Sequence, residues 1–214
     1  MVSAELKSEF KRKIFHAGIN GTIGPLVILG IKDPQLARAV GLTIYAVFLT
    51  LFLLLEYSLR KGKNWNVPFA SKAYDIIKNE YEIQSRTMNS AILLIVSGML
   101  NMAFLDLRAT LVGILVISYA DPAASIAGKA YPNHSISYNK RKHYEGTIAF
   151  MLVGFFVTAL TLSLVPMSLT KILVVSATIA LVSGIFESLP MTYYLDNFTV
   201  PIVAGLLAQL FISI

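Results

Sequence analysis

Four carboxylates stand where an apolar chain has little reason to keep them. Asp121 lies inside ILVISYADPAASIAG, Glu145 opens KHYEGTIAFML, and Glu187 and Asp196 bracket ESLPMTYYLDN. An ionised carboxylate at membrane depth costs at least about 2.5 kcal/mol, so it normally faces a wet cavity or a partner. Small residues, basic residues and an Asp-Asn pair recur beside these acids. Together they are the parts of an active site for a charged, metal-bound substrate at a membrane surface.

Each block carries its own chemistry. In DPAASIAG, Pro122 removes a backbone donor next to Asp121 and loosens the helix there. Ala123, Ala124, Ser125, Ala127 and Gly128 leave almost no side-chain bulk. Such residues can simply pack one membrane helix on another, but that leaves the aspartate unexplained. The sharper reading has Asp121 hold a divalent cation while Ser125 and Gly128 let phosphates approach the backbone, with Lys129 following at once. In KRKHYEGT, Lys140 and Arg141 read as anchors at the end of a span. Lys142 and Glu145 share a face if a helix begins here, and Gly146 and Thr147 would offer free N–H groups to phosphate. Asp121 and Glu145 could together coordinate Mg²⁺. In ESLPMTYYLDNFTVP, Asp196 and Asn197 supply two oxygen ligands at the mouth of the last span, and Pro190 and Pro201 fix the bends. An alcohol is a poor nucleophile at neutral pH, so Asp196 is a candidate base as well as a metal ligand. His16, which follows Arg12 and Lys13, reads as structural from spacing alone. His134 and His143 lack metal-ligand spacing, which argues against zinc.

These residues need elements to hold them. The chain of 214 residues is 56% hydrophobic and only 14% charged, with mean hydropathy +0.67. A soluble domain carries far more charge, so a single membrane-embedded domain over 1–214 is expected. The absence of cysteine excludes disulfides, thiolate metal sites and cysteine nucleophiles. Windows of roughly 17–22 apolar residues fall at about 14–31, 37–57, 88–105, 108–128, 146–165, 169–187 and 198–214. The expected fold is an all-α polytopic transmembrane bundle of about seven spans. The first window follows Lys11, Arg12 and Lys13, yet no small-residue cleavage site closes it, which argues against a signal peptide.

Lysine and arginine set the orientation. With the N-terminus inside, fourteen of the 18 fall on the cytoplasmic side, leaving only Lys32, Arg38, Arg108 and Lys171 outside. The net charge of +6 is therefore a topology signal and not a nucleic-acid one. This arrangement turns the loops at 58–87, 129–145 and 188–197 to the cytoplasm and the C-terminus outside. Glu145, Glu187 and Asp196 then lie at the cytoplasmic face, with Asp121 about two helical turns below it. In the longest loop, residues 68–83 put Phe69, Ala73, Ile76, Ile77 and Tyr81 on one helical face, opposite Lys72, Asp75, Lys78, Asn79 and Glu82. With Trp65 just before, that segment reads as a helix lying in the headgroup region.

The blocks RKIFH (Arg12 to His16), DPAASIAGK, KHYEGT and ESLPMTYYLDNFTVP, in this order, resemble the CTP-dependent membrane lipid kinases: the dolichol (polyprenol) kinases, phytol kinases and yeast-type diacylglycerol kinases. The resemblance runs from residue 12 to about 205. Two positions depart from the family pattern, Ala120 where a glycine is expected and His143 where a hydroxyl residue is expected. The resemblance implies transfer of the CTP γ-phosphate to a long-chain isoprenoid alcohol, with CDP released. It also implies that Asp121 and Glu145 bind Mg²⁺–CTP, that Lys129 and Lys142 meet phosphates, and that Asn197 and Glu187 orient the site. Arg12 and His16 would lie at its edge. The membrane would be the plasma membrane of a prokaryote or the endoplasmic reticulum of a eukaryote.

Two other readings compete. A CDP-lipid-forming cytidylyltransferase also uses CTP and Mg²⁺ beside membrane acids, but would release pyrophosphate. A cation-coupled transporter also places acids in broken helices, yet no second half of matching pattern exists and the polar groups gather at one face.

Overall fold

A computed structural model describes residues 4–63, 65–77, 87, 89–190 and 195–213. These form eight helices: α1 (Ala4–Gly30), α2 (Pro34–Arg60), α3 (Ala70–Ile77), α4 (Asn89–Phe104), α5 (Leu107–Ala130), α6 (Tyr144–Leu162), α7 (Leu169–Ser188) and α8 (Asp196–Ile212). Each expected apolar window falls on one of the seven long helices. Four of them, α2, α5, α6 and α7, are long and apolar enough to cross a membrane; α4, α8 and Asn20–Gly30 of α1 are shorter apolar stretches.

Side-chain caps explain several of the starts. Asp33 accepts from Gln35 N at 2.8 Å and Leu36 N at 3.2 Å ahead of Pro34, and Asp106 accepts from Arg108 N at 2.8 Å. Ser168 accepts from Lys171 N at 3.3 Å. Each satisfies donors that a helix start leaves without partners.

The central element is α5, which packs on α1, α6 and α8. Its apolar window is 61% buried against 22% for α2. Two apolar clusters flank it, one with Phe150, Leu162, Ile179 and Ala204, the other with Tyr45, Phe52, Met102 and Ile114. On the outside, Phe104 is 80% exposed and Leu160 73%, an apolar exterior that a bilayer would cover.

Close contacts fix the register around α5. Helix α1 runs antiparallel to it: Asn20 donates to Ser118 Oγ at 3.0 Å, and Gly21 and Gly24 lie against Tyr119 and Ile114. At the opposite flank Asn101 of α4 donates to the Pro201 carbonyl of α8 at 2.8 Å. A Cβ on Gly113 would come within 2.5 Å of that same carbonyl, so only glycine lets the three helices meet there.

The all-α expectation holds, and one loop carries a small addition. Residues Ser135–Ile136 (β1) and Asn139–His143 (β2) form a two-stranded antiparallel hairpin in the segment read as a loop over 129–145. Only Ile136 and Asn139 of it are buried, so the segment has no period-two apolar pattern to announce it. In the longest loop the described part of the helix expected over 68–83 is α3, Ala70–Ile77. Val67, Ala70 and Ala73 form its buried side, while Phe69 and Ile76 are exposed. Phe69 has φ 63°, a left-handed conformation unusual for a bulky residue; its ring meets Phe48 with centroids 5.2 Å apart. Lys78, Asn79, Tyr81 and Glu82 lie outside the described residues.

Candidate active site

The polar groups gather at one end of the bundle, where the C-termini of α5 and α7 meet the N-termini of α6 and α8. The hairpin locks that end. Tyr138 Oη and Ser188 Oγ are 2.7 Å apart, and Asn139 Nδ2 donates to the carbonyls of Ser188 at 3.0 Å and Leu189 at 3.1 Å. Carbonyls at a helix C-terminus lack intrahelical donors, and here the hairpin supplies them.

Lys142 therefore arrives on a strand. Its Nζ donates to the Glu187 carboxylate and the Glu187 carbonyl, each at 2.5 Å, and stands 3.4 Å from Asp196 Oδ2. Burial works to lower the Lys142 pKa. The charges of Glu187 and Asp196, the Glu187 hydrogen bond and, last, the Asp121 charge outweigh it and raise that pKa above its ordinary value. Three of the four acids thus act on one ammonium group, and the site stays cationic at its centre.

Asp121 sits deeper, 6% exposed, and pairs with Lys13 of α1. Sequence reasoning placed Lys13 only among the basic topology residues; its partner is 108 positions away, and no local pattern announces that. Arg12 and His16 lie on α1, with side chains outside the described set.

Glu145 behaves differently from expectation. Helix α6 begins at Tyr144 because the hairpin continues through His143, so Lys142 and Glu145 do not share a helical face. Instead Glu145 Oε1 lies 2.7 Å from Nδ1 of His134. Its Oε2 and the Thr147 hydroxyl are buried without a partner, as is Oε2 of Glu187. The α6 start has no side-chain cap; Tyr144 N donates to the His134 carbonyl at 3.0 Å, and the N–H groups that follow it stand at a helix N-terminus, where anions are favoured.

Gly128 and Gly146 are buried against each other: a Cβ on Gly128 would lie 3.6 Å from Gly146 Cα, and one on Gly146 only 2.7 Å from the Ala124 carbonyl. Their smallness serves the α5–α6 crossing, which brings the α6 start over Asp121. Ser125 is half-buried and Lys129 exposed on the last two turns of α5. Asn197 is tied to α4, donating to the Ser90 carbonyl at 3.3 Å while its own carbonyl accepts from Ser97 Oγ at 3.2 Å. Among the described residues no three His, Asp or Glu side chains form a metal-holding group.

Comparison with curated proteins bears directly on this arrangement. The chain is 35% identical over 98 residues to a phytol kinase of Synechocystis, covering 45% of this chain and 42% of that one. It is 30% identical over 107 residues to phytol kinase 1 of Arabidopsis thaliana, covering 47% and 35%. With the CTP-dependent diacylglycerol kinase 1 of Saccharomyces cerevisiae it shares 26% identity over 224 residues, covering 94% of this chain and 72% of the yeast protein. The chain is thus similar to phytol kinases over part of its length and to a CTP-dependent diacylglycerol kinase over nearly all of it. The matches to the two phytol kinases cover less than half of either relative's length. No family model matches the chain, and no solved structure does. The site residues that sequence reasoning missed are Lys13, His134 and Asn139, each defined by a partner on another element.

Proposed function

We propose that the chain is a CTP-dependent lipid-alcohol kinase, moving the γ-phosphate of CTP to the hydroxyl of a long-chain isoprenoid alcohol of the dolichol, polyprenol or phytol type and releasing CDP. The observation that carries this reading is Lys142, held among Glu187, Asp196 and the field of Asp121 beside the uncapped start of α6. Phosphoryl transfer asks for positioning and charge more than for covalent chemistry, and this end of the bundle offers both.

In this reading Lys142 and the N–H groups around Gly146 and Thr147 receive the phosphates. Lys129 and Ser125, on the α5 end, flank them. Mg²⁺ is usually bound by one or two carboxylates plus substrate phosphates and water. The unpartnered Oε2 of Glu145 with one of the carboxylates of Asp121 and Asp196 would suit that mode, with Asn197 at the rim. Bound there, Mg²⁺ would neutralise the charge developing on the phosphates. Lys13 would pair with the Asp121 carboxylate in the apolar bundle.

The seven long helices are taken as spans, with the N-terminus and the site at the cytoplasmic surface, where CTP is found, and the C-terminus outside. A lipid alcohol would keep its tail in the bilayer while its hydroxyl reaches Lys142. The test uses purified protein with CTP or ATP, Mg²⁺ and a panel of polyprenols, phytol and diacylglycerol, detecting phospholipid product and CDP. Phosphorylated lipid with CDP is expected. Pyrophosphate in place of CDP would overturn the kinase reading in favour of cytidylyl transfer.

A further inference from the structure

The chain folds back along α2 as soon as that helix ends. Gly62 has φ 65°, a left-handed turn that glycine adopts without strain. Buried Ser58, in the last turn of α2, fastens the reversal: its hydroxyl donates to the Lys63 carbonyl and accepts from Trp65 N at 3.0 Å. Residues 65–67 then run without helix or strand. At the start of this run the Trp65 ring meets Tyr57, with centroids 5.8 Å apart. Past its end the Phe69 ring meets Phe48, with centroids 5.2 Å apart. Tyr57 and Phe48 lie nine positions apart on one helix, about 13 Å along its axis. Four residues of extended chain cover about that distance. The segment therefore descends beside α2 from near its end to its middle.

The descent starts from the end that holds the ionic cluster. Arg38, near the start of α2, donates to the Met102 and Leu105 carbonyls at the end of α4, so these helices are antiparallel. The other end of α4 reaches Asn197 through the Ser90 carbonyl. Helix α2 itself is long and apolar enough to cross a membrane. At the top of the descent Arg60, Lys61 and Lys63 are exposed, and Lys63 Nζ stands 5.6 Å from the Trp65 ring centroid. Tyrosine, tryptophan and basic residues of this kind mark a membrane–water interface. Lower down, Pro68 and Phe69 are exposed, while Val67, Ala70 and Ala73 are buried in the cluster with Phe52 and Leu55. Irregular backbone at membrane depth has to be held by protein. Here Pro68 has no N–H, Val67 N donates to Ser71 Oγ at 2.9 Å, and Ala70 N donates to the Pro68 carbonyl at 2.7 Å. Helix α3 packs on both α1 and α2.

We infer that residues 65–77 are a re-entrant element whose partner is the acyl chains of the leaflet beside the ionic cluster. Trp65 sits at the edge of the hydrocarbon, and Phe69 reaches about 13 Å below it, close to the bilayer midplane. The chain must regain the surface by Asn89, where α4 begins, and α3 starts that return. Lys72 and Asp75, on its exposed side, then lie successively nearer the surface than Phe69, with the Lys72 stem long enough to carry its ammonium further up. This path replaces the flat headgroup helix expected from the amphipathic pattern. It requires α2 to span a bilayer and is independent of the phosphate chemistry at Lys142.

The experiment measures depth in the full chain reconstituted into phosphatidylcholine vesicles. Trp65 is the only tryptophan and cysteine is absent, so fluorescence and single cysteines each report one position. Trp65 should be quenched about twofold more by lipid brominated high on the acyl chain than by lipid brominated near its end, and the double variant Trp65→Phe, Phe69→Trp should reverse that ratio. A spin label on Pro68→Cys, which leaves residue 69 unaltered, should be relaxed more by oxygen than by a water-soluble nickel chelate. The label on Lys63→Cys should show the opposite. Shallow quenching at position 69 together with nickel access at position 68 would overturn the re-entrant path and return the segment to the headgroup surface. Absence of quenching at positions 65 and 69 by either lipid would overturn it too, by taking this end of α2 out of the bilayer.

Discussion

Lys142 and Glu187 meet at 2.5 Å although they are 45 positions apart, one on a short strand and the other one residue before the end of α7. The same ammonium reaches the Glu187 carbonyl, so a single side chain closes the helix end and neutralises its acid. Removing it strips both functions at once. Lys142→Ala is expected to abolish phosphate transfer and to cost about 3 kcal/mol of stability, the scale for leaving a buried charge without its partner. Turnover and thermal unfolding in detergent check the two effects separately.

The raised pKa of Lys142 gives a pH signature. Because the folded value lies above the unfolded one, its stabilising contribution is complete below the ordinary value of 10.5 and disappears as pH rises through the folded value. Melting temperature should therefore hold to about pH 10 and fall more steeply above it in the unmodified protein than in Lys142→Met. Parallel alkaline slopes in the two proteins would contradict the assignment.

Lys13 and Asp121 form the second buried pair, with side chains 14% and 8% exposed. Asp121→Asn should lose turnover about 100-fold, while Lys13→Met alone destabilises the fold by taking the ammonium away from the buried Asp121 carboxylate. Combining the two should recover stability but not activity. A double-mutant cycle in thermal unfolding is expected to show about 1–3 kcal/mol of coupling.

The α5–α6 crossing predicts unequal glycines. Gly146→Ala pushes a methyl to 2.7 Å of the Ala124 carbonyl, which is backbone and cannot swing aside, whereas Gly128→Ala makes an ordinary 3.6 Å contact. The first should lower both melting temperature and CTP turnover, and the second should change neither by much. Equal behaviour of the two variants would argue against the crossing.

Chelation offers a simpler check. EDTA should stop phosphate transfer, and added Mg²⁺ should restore it, since two carboxylates and the substrate's own phosphates suffice to hold the ion. Activity that persists in EDTA would exclude the metal role given to Asp121, Glu145 and Asp196.

Part of this was readable from the chain. Asp121, Glu145, Glu187 and Asp196 stand out because each interrupts apolar sequence, and all seven long helices follow apolar windows, three of them opened by side-chain caps at Asp33, Asp106 and Ser168. What stayed hidden depends on partners far along the chain. Lys13 sits in a basic run that looks like any anchor, and nothing near it names Asp121. The hairpin escaped notice because its strands are polar and are held by Tyr138 and Asn139 reaching α7. Gly128 and Gly146 read equally well as phosphate contacts or as packing, and only the crossing geometry decides what their size is for.

The ion pairs at this end of the bundle share an order along the chain: Lys13 precedes Asp121, His134 precedes Glu145, and Lys142 precedes Glu187 and Asp196. During synthesis each acid therefore emerges after the base that will meet it. A nascent helix carrying Asp121 or Glu187 enters the bilayer with its counterion already translated, so no stage of assembly has to wait for a later segment to quench it.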